Sequence, residues 1–337
     1  MRVLFAGSPV IAVPSLVRLS FEHDIVGILT NPEAPSGRGL ACAETPVAQV
    51  AAAILGPASG RGGESGRGGG RPAVPILCFE RLGSEARAAV EGLGADILVS
   101  FAYGRIFGPK FLALFPKGGV NVHPSLLPKY RGPAPIQSAI LARERETGIS
   151  VQRLALDMDT GDILGVERIR LSGHETAPDL TETAAILGAD LLSRVLEEIA
   201  AGSSAARPQE GEASYCRILE KDDGLIDWGA GVLDIDAKVR AFTPWPGAFT
   251  FFRGARLAVL ESYPYPGVTY AAGPGSLDFE DAAPGTVLGL DKSRGIMVQT
   301  KDGLIALRRL QIQNKKALPY REFANGIRSF AGTVLGL

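Results

Sequence analysis

Three side chains of this 337-residue chain have the types and spacing that one chemical site could use. An amide and an imidazole stand at Asn121 and His123, and a carboxylate follows at Asp159. In an extended strand alternate side chains point to the same face, so Asn121 and His123 share a face while Val122 turns into the core. The pattern predicts a strand that carries two neighbouring catalytic candidates.

These residue types suit group transfer through a tetrahedral intermediate. The Asn121 amide can donate hydrogen bonds to a developing oxyanion. The His123 imidazole can handle a proton or polarise a carbonyl near neutral pH, and Asp159 could orient that ring or a water molecule. The alternative interpretations stay open, because a lone histidine is more often structural and an aspartate before Thr160-Gly161 often simply forms a turn.

Other kinds of site are not indicated. No Ser or Cys lies in a nucleophile elbow, so a covalent acyl-enzyme is not expected. One histidine among scattered carboxylates makes no ligand set, so no metal is predicted. The Gly-x-Gly-x-x-Gly and Gly-x-x-x-x-Gly-Lys patterns are absent, which argues against a dinucleotide or ATP site.

The elements that must position these residues alternate over roughly the first 200 positions, as short apolar runs and longer mixed segments. This alternation predicts an α/β domain with a parallel sheet and a helix from Gly7 through Leu19. The predicted strands are Arg2–Ala6, Ile25–Leu29, Ile97–Ser100 and Gly119–Val122. Pro124 and Pro128 then bracket a segment that can neither continue a helix nor pair in a central strand, which predicts a rigid loop.

Two segments interrupt this pattern. Asn31–Thr45 contains Pro-Ser-Gly-Arg-Gly, which is too rich in turn residues for a regular element and predicts a functional surface loop whose Arg38 could approach a phosphate. In Gly56–Gly70, eight of fifteen residues are glycine, so burial cannot offset the ordering entropy. We interpret that insert as a passive flexible loop; nucleic-acid binding through Arg61 and Arg67 is the alternative.

The second half of the chain has a different character. The composition turns small and polar near residues 204–214, where we place a linker. The strand-like runs that follow predict a small β-barrel, and they are Ala248–Phe252, Leu257–Leu260, Thr286–Leu290, Ile296–Thr300 and Leu304–Gln311. Between Lys292 and Arg328 the chain has nine Lys or Arg against two acids. This excess indicates either a solvated face or a surface that binds a polyanion.

Length and composition set the broad class. A chain of 337 residues favours two domains. Apolar residues make up 46%, but no uninterrupted apolar run reaches the ~18 positions that a membrane span needs, and Met1–Ala6 is too short for a secretory signal. We therefore expect a cytoplasmic protein. Cys42, Cys78 and Cys216 are scattered without Cys-x-x-Cys spacing, which predicts reduced thiols. The net charge of −1 is not informative by itself.

Three ordered motifs carry a resemblance to a known family. They are Asn121-x-His123-Pro-Ser-Leu-Leu-Pro128, Tyr130-Arg-Gly-Pro-Ala-Pro-Ile-Gln137 and Asp157-Met-Asp-Thr-Gly-Asp-Ile-Leu164. With them the chain resembles the folate-dependent formyltransferases, and within these the enzymes that formylate methionyl initiator tRNA. The resemblance extends along nearly the whole chain, through Leu4–Pro9, Ser36–Gly39, Ile226–Trp228, Arg240–Ala248 and Pro284–Val287.

The resemblance implies a fold and a set of roles. It implies a Rossmann-like formyltransferase domain at 1–203, a linker at 204–214 and an OB-like tRNA-binding barrel at 215–337. It assigns catalysis to Asn121, His123 and Asp159, with 10-formyltetrahydrofolate as the formyl donor, methionyl initiator tRNA as the acceptor and no metal. A partner subunit is not required, so we expect a monomer.

The same resemblance places the ligands. It implies that the folate contacts two segments and a loop aspartate, which are Ser125, Leu126, Leu127 and Pro128, then Tyr103, Gly104, Arg105, Ile106 and Phe107, and Asp157. It implies tRNA contacts at Arg38, Lys315 and Lys316. The chain departs from the family at Leu40-Ala-Cys42, where relatives often have lysines, and in the glycine-rich insert, which is not typical.

The implied reaction is direct. The neutral α-amine attacks the formyl carbon on N10 of the folate, Asn121 and protonated His123 stabilise the oxyanion, and Asp159 holds His123 and helps to relay a proton through water. Two alternatives remain at this point. One is a formyltransferase for a small amine, such as glycinamide ribonucleotide or an amino-sugar nucleotide, and the other is an RNA-binding protein without enzymatic activity.

Overall fold

The computed structural model describes residues 1–32, 34–36, 41–56, 73–268, 282–327 and 329–336. The predicted phosphate contact Arg38 and residues 57–70 of the glycine-rich insert lie outside these ranges. Two compact units divide the chain. Unit 1 comprises Met1–Pro135, Glu146–Ile169 and Thr181–Cys216, and unit 2 comprises Ile136–Arg145, Arg170–Leu180 and Arg217–Leu337.

The strands of the first half of the chain are β1 (Arg2–Gly7), β2 (Asp24–Thr30), β3 (Ala34–Ser36), β4 (Ala41–Ala43), β5 (Ile76–Cys78), β6 (Ile97–Phe101), β7 (Gly119–His123), β8 (Glu146–Arg153) and β9 (Ile163–Arg170). Seven of them form one sheet in the order β5-β2-β1-β6-β7-β8-β9. The pairings from β5 to β7 are parallel, and β8 runs antiparallel to β7.

The helices are α1 (Val13–Glu22), α2 (Pro46–Leu55), α3 (Ser84–Glu91), α4 (Pro109–Leu112), α5 (Pro135–Leu141), α6 (Ala177–Ala201), α7 (Val232–Phe242) and α8 (Tyr320–Gly326). Short 3-10 turns lie at Val10–Ala12 and Lys221–Gly224. The helix predicted from Gly7 through Leu19 begins later, at Val13, because the chain first makes the 3-10 turn at Val10–Ala12.

The central strands are mostly buried, since both faces of a parallel sheet are covered. All five residues of β6 are buried, as are five of the six in β1. A column of aromatic rings, Tyr103, Phe107, Phe111 and Phe115, packs against this sheet with successive centroids 5.5 to 5.9 Å apart. The column fixes the segment that follows β6.

The segment predicted as a loop, Asn31–Thr45, contains a small two-stranded sheet. Strands β3 and β4 pair antiparallel over three residues each. Turn-rich sequence permits this pairing because the backbone groups make the ladder and no apolar face is required. The expectation that this segment holds no regular element was wrong.

Unit 2 contains an antiparallel sheet. Its strands are β10 (Phe249–Phe252), β11 (Ala255–Pro266), β12 (Val287–Asp291), β13 (Gly295–Gln299), β14 (Gly303–Ile312) and β15 (Leu318–Pro319). The order is β10-β11-β14-β13-β12, with β15 paired to β14. Helix α7 packs on this sheet, and Trp228, Ile235 and Leu307 belong to the shared core. The predicted fold class, a parallel α/β domain followed by a small β domain, is confirmed.

Candidate active site

Two of the candidate residues lie at the end of a central strand. Asn121 and His123 are in β7, which is held by β6 on one side and by β8 on the other. Asn121 is opposite Gln152 in the antiparallel pairing with β8, and His123 is opposite Ser150. His123 is buried, whereas Asn121 is partly exposed. The strand predicted from the alternating pattern therefore presents the amide and the imidazole at its carboxyl end.

Asp159 reaches the same place on the loop between β8 and β9. The loop folds back on β8, because the Arg153 amide donates to the Asp162 carbonyl over 2.8 Å. A Cβ atom at Gly161 would lie 1.8 Å from the Arg153 carbonyl oxygen, so only glycine fits there. Asp159 itself has φ +55°, a left-handed conformation that aspartate tolerates better than most residues.

The three predicted catalytic side chains converge around the Asp159 carboxylate. Its Oδ1 accepts hydrogen bonds from Asn121 Nδ2 at 3.3 Å and Gln152 Nε2 at 2.9 Å. Its Oδ2 accepts from the Gly132 amide at 2.9 Å and lies 3.5 Å from His123 Nδ1. The side chains of His123 and Asp159 are only 6% and 10% exposed. Donors therefore surround the carboxylate and fix its plane.

The two nitrogens of the His123 ring both face acceptors. Nε2 lies 2.8 Å from the Tyr130 carbonyl oxygen, which cannot donate, so Nε2 carries the hydrogen of that bond. Nδ1 faces the Asp159 carboxylate. The ring is therefore held between a backbone carbonyl oxygen and a carboxylate, on the same face of β7 as Asn121.

The segment after β7 is anchored as a rigid loop, as the two prolines predicted. Ser125 is fully buried, and its hydroxyl donates to the Lys129 carbonyl over 2.6 Å. Ser150 Oγ donates to the Ser125 carbonyl over 2.8 Å and accepts from the Leu127 amide. Leu127 and Pro128 are buried, and Leu126 is partly exposed. These contacts tie the predicted folate segment to β8.

The second predicted folate segment follows β6 and is divided between core and surface. Tyr103 and Phe107 are buried in the aromatic column, and burial raises the pKa of the Tyr103 hydroxyl to about 12. Gly104 has φ +78°, and Arg105 Nε donates to Asn31 Oδ1 over 2.7 Å. Ile106 is 65% exposed. The exposed residues of this segment are Gly104 and Ile106.

Among the described residues, the other predicted ligand contacts lie on exposed surfaces. Asp157 is exposed, and its carbonyl accepts from Thr160 Oγ1 over 3.0 Å. The apolar side chains on either side of it, Leu156 and Met158, are 58% and 52% exposed. Lys315 and Lys316 are exposed after β14 in unit 2.

Sequence reasoning missed two glutamines at this site. Gln152 is buried in β8 and contacts the Asp159 carboxylate, and Gln209 Nε2 donates to the Asp159 carbonyl over 2.8 Å. The alternation of apolar and polar residues in Ile149-Ser-Val-Gln152 was an available signal, because it predicts a strand with Gln152 on one face. Gln209 had no such signal, since it lies in the segment predicted as a linker, which unit 1 includes.

Two absences hold for the described part of the chain. No group of three or more His, Cys, Asp or Glu residues there could hold a metal ion. No helix there is both long and apolar enough to cross a membrane.

Known proteins with similar sequences share the whole length of this chain. Residues 12–196 match the formyl transferase family model, and residues 218–328 match the model of the formyl transferase C-terminal domain. Methionyl-tRNA formyltransferase of Treponema denticola is 42% identical over 98% of this chain and 98% of its own length. The same enzyme of Thermus thermophilus is 37% identical over 100% of this chain and 99% of its own length. The chain belongs to the methionyl-tRNA formyltransferase family.

Solved structures with the same fold include other formyltransferases. HypX from Aquifex aeolicus in complex with tetrahydrofolic acid is 16% identical with a TM-score of 0.60; the match covers 99% of this chain and 48% of HypX. An N-formyltransferase from Helicobacter canadensis, in complex with folinic acid and dTDP-3-aminofucose, is 17% identical with a TM-score of 0.59 and coverages of 94% and 100%. Family membership, predicted from the motifs, is confirmed by the sequence matches, and these structures agree on the fold.

Proposed function

We propose that this protein transfers the formyl group of 10-formyltetrahydrofolate to the α-amino group of methionyl initiator tRNA, for translation initiation. The observation that carries the proposal is the convergence of Asn121, His123 and Asp159 in one site, although 38 positions separate the first from the last. Family membership over the full chain supports the choice of donor and acceptor.

The reaction begins when the neutral α-amine attacks the formyl carbon, and a C–N bond forms as the carbonyl oxygen becomes an oxyanion. Asn121 Nδ2 donates a hydrogen bond to that oxygen, because its amide has two hydrogens and only one faces Asp159 Oδ1. A well-placed donor of this kind contributes about 2.7–4 kcal/mol to lowering the barrier. In this proposal protonated His123 also stabilises the oxyanion, with its ring held by Tyr130 and Asp159.

The intermediate then collapses by breaking the bond between the formyl carbon and N10. The attacking nitrogen must lose a proton and the departing N10 must gain one. Asp159 holds His123 in place and, through a water molecule, relays this proton. The buried site also keeps amine and formyl group together, which removes much of the entropic cost of a bimolecular step.

The folate lies, in this proposal, against the two segments that flank the catalytic strand. Residues 125–128 and the backbone of 103–107 line it, with Ile106 offering an exposed apolar surface. The loop of Asp157 closes the other side, where Leu156 and Met158 expose apolar side chains. Tetrahydrofolic acid and folinic acid in the structures of similar fold are consistent with a folate ligand.

The tRNA contacts we propose are electrostatic. Lys315 and Lys316 belong to the basic stretch of unit 2, and Arg38 belongs to the segment Asn31–Thr45 of the sequence. Lysine and arginine supply the phosphate-binding part of nucleic-acid affinity. We place the protein in the cytoplasm, where charged initiator tRNA is used, and expect it to act as a monomer.

Formylation assays with alternative acceptors test this proposal directly. The purified protein is given 10-formyltetrahydrofolate with charged initiator tRNA, free methionine, glycinamide ribonucleotide or a dTDP-amino sugar. We expect formyl transfer to the charged tRNA alone. Transfer to a small amine but not to the tRNA would assign the protein to the small-amine formyltransferases, and binding of tRNA without any transfer would leave an RNA-binding protein.

A further inference from the structure

A pair of glutamine side chains joins the Asp159 loop to the loop that follows β7. Gln209 Nε2 donates to the carbonyl oxygens of Asp159 and Gly161, each over 2.8 Å. Gln209 Oε1 accepts from Arg131 Nε at 3.1 Å and from the second guanidinium nitrogen at 2.7 Å. Gln152 completes the cluster, because its Oε1 accepts from the Gly161 amide over 3.1 Å while its Nε2 contacts the Asp159 carboxylate.

The chemistry of the neighbours fixes the orientation of both carboxamides. Arg131 can only donate, so the oxygen of Gln209 must face it and the amide nitrogen must face the two carbonyls. The Gly161 amide can only donate, so the oxygen of Gln152 faces it and the nitrogen faces the carboxylate. Neither side chain can be turned over without placing two donors or two acceptors against each other.

Arg131 lies in the sequence between Tyr130 and Gly132, whose backbone groups contact the catalytic side chains. Its predecessor Tyr130 accepts from His123, and its successor Gly132 donates to Asp159. Gln209 therefore links the loop that holds the imidazole with the loop that supplies the carboxylate. Asp159 needs such support, because a non-glycine residue at φ +55° persists only where its surroundings hold it.

We propose that Gln209, assisted by Gln152, is a positioning residue for formyl transfer. Its carboxamide fixes the position of the Asp159 loop relative to the loop of Arg131, so that the Asp159 carboxylate faces His123 and Asn121. This inference rests on the proposed function for its kinetic consequence, whereas its structural consequence is independent of the substrate. Gln209 acts through Asp159 and does not touch the reacting atoms.

Two substitutions at Gln209 distinguish the hydrogen bonds that its side chain donates to the Asp159 loop from those that it accepts from Arg131. Gln209→Ala removes both contacts, and Gln209→Glu keeps the acceptor for Arg131 but cannot donate to the Asp159 and Gly161 carbonyls. We expect both to lower kcat up to roughly 100-fold, the effect of a small misplacement of a catalytic group, with KM values for tRNA and folate near wild type. Full activity of Gln209→Glu would overturn the proposal. A rise in KM for tRNA or folate as large as the fall in kcat, in either variant, would also overturn it.

The matched control is Gln299→Ala. Gln299 is in unit 2 and its carboxamide also donates to a backbone carbonyl, that of Thr300, over 2.8 Å. We expect wild-type kcat from this variant.

Thermal unfolding of each variant distinguishes a displaced loop from a protein that has failed to fold. Arg131→Met provides a second way to break the link between the two loops. The Arg131 and Gln209 effects should be strongly non-additive, and simple additivity would contradict the proposed link.

A spectroscopic measurement makes the test independent of activity. The chain has three histidines, so the ring nitrogen resonances of a 15N-histidine sample can be assigned by substituting each in turn. At a fixed pH, Gln209→Ala should shift the His123 resonances and leave those of His23 and His174 in place. Unchanged His123 resonances would refute the inference. If wild-type protein fails to formylate charged tRNA while the shift appears, the proposed function fails and the positioning role stands.

Discussion

At the residue scale, the site depends on donors arranged around one carboxylate. Asp159 receives hydrogen bonds from Asn121, Gln152 and Gly132, and it faces His123. Because each of these neighbours can donate a hydrogen bond, together they determine the orientation of the Asp159 carboxylate. The imidazole is fixed in the same way between this carboxylate and a carbonyl oxygen.

His123→Ala tests the assignment of the imidazole. We expect kcat to fall by about 100- to 10,000-fold, the usual contribution of a catalytic acid or base, while the Kd for charged tRNA stays within about twofold. Single-turnover kinetics with filter binding measures both quantities on one preparation. A parallel loss of binding and rate would instead show that the ring is structural.

At the element scale, the β8–β9 loop must pack closely against the end of β8, at Arg153. Gly161 permits this, because any side chain there would collide with the Arg153 carbonyl. We expect Gly161→Ala to lower kcat by roughly 100-fold through displacement of Asp159, and to lower the free energy of unfolding by about 1–3 kcal/mol through overpacking. Urea unfolding and steady-state kinetics check the two effects.

The control for that substitution is Gly83→Ala. A Cβ atom at Gly83 would meet nothing within 4 Å, and this residue lies before α3, away from the Asp159 loop in sequence. It should keep wild-type kcat. Normal activity in Gly161→Ala would mean that the loop has more room than the structure indicates.

The first turn of α6 provides an electrostatic prediction. The Thr176 amide and hydroxyl donate to Asp179 Oδ2 at 2.9 and 2.6 Å, and these bonds hold the pKa of that carboxyl below its usual range. A lowered folded-state pKa contributes stability that is present above the unfolded pKa and is lost as pH falls through the folded value. Asp179→Asn should therefore cost about 0.5–1 kcal/mol at pH 7, as for a weakened helix cap, and less at pH 3, because the stabilisation is lost as the pH falls toward the lowered folded-state pKa.

Urea unfolding of Asp179→Asn at the two pH values measures this difference. Glu182→Gln, an exposed change one turn further along the same helix, is the control and should show no comparable pH-dependent loss. An equal deficit at both pH values would indicate that the effect is not electrostatic.

At the scale of the whole molecule, the basic residues are unevenly distributed. The chain has a net charge of −1, yet nine of the residues from Lys292 to Arg328 are basic and two are acidic. Recognition of tRNA through phosphates releases counterions, so the affinity should fall steeply as salt concentration rises.

Substitution of the two exposed lysines after β14 tests that expectation. We expect Lys315→Ala and Lys316→Ala each to raise KM for charged tRNA and to reduce the slope of log affinity against log salt by about one, with kcat unchanged. Lys110→Ala, an exposed lysine on α4, should leave the slope unchanged. A normal slope in the double variant would remove these lysines from the tRNA surface.

The fold class, several of the strands and a set of candidate site residues could be predicted from the sequence. Parallel strands are buried on both faces, so β1, β2, β6 and β7 stood out as apolar runs, and alternation along β7 paired Asn121 with His123. Asp159 was a candidate because of its carboxylate, and the family motifs implied the same three residues. These features are local, because period and composition are properties of neighbouring residues.

Only the tertiary structure decided how these residues are supported. Gln209 lies in a polar segment with no periodic signal, and its role arises from contacts with residues 48 and 50 positions away. The short pairing of β3 and β4 and the division of Tyr103–Phe107 between core and surface were decided in the same way. Propensity and spacing describe what a segment favours alone, whereas a hydrogen bond between distant loops exists only after the whole unit has folded.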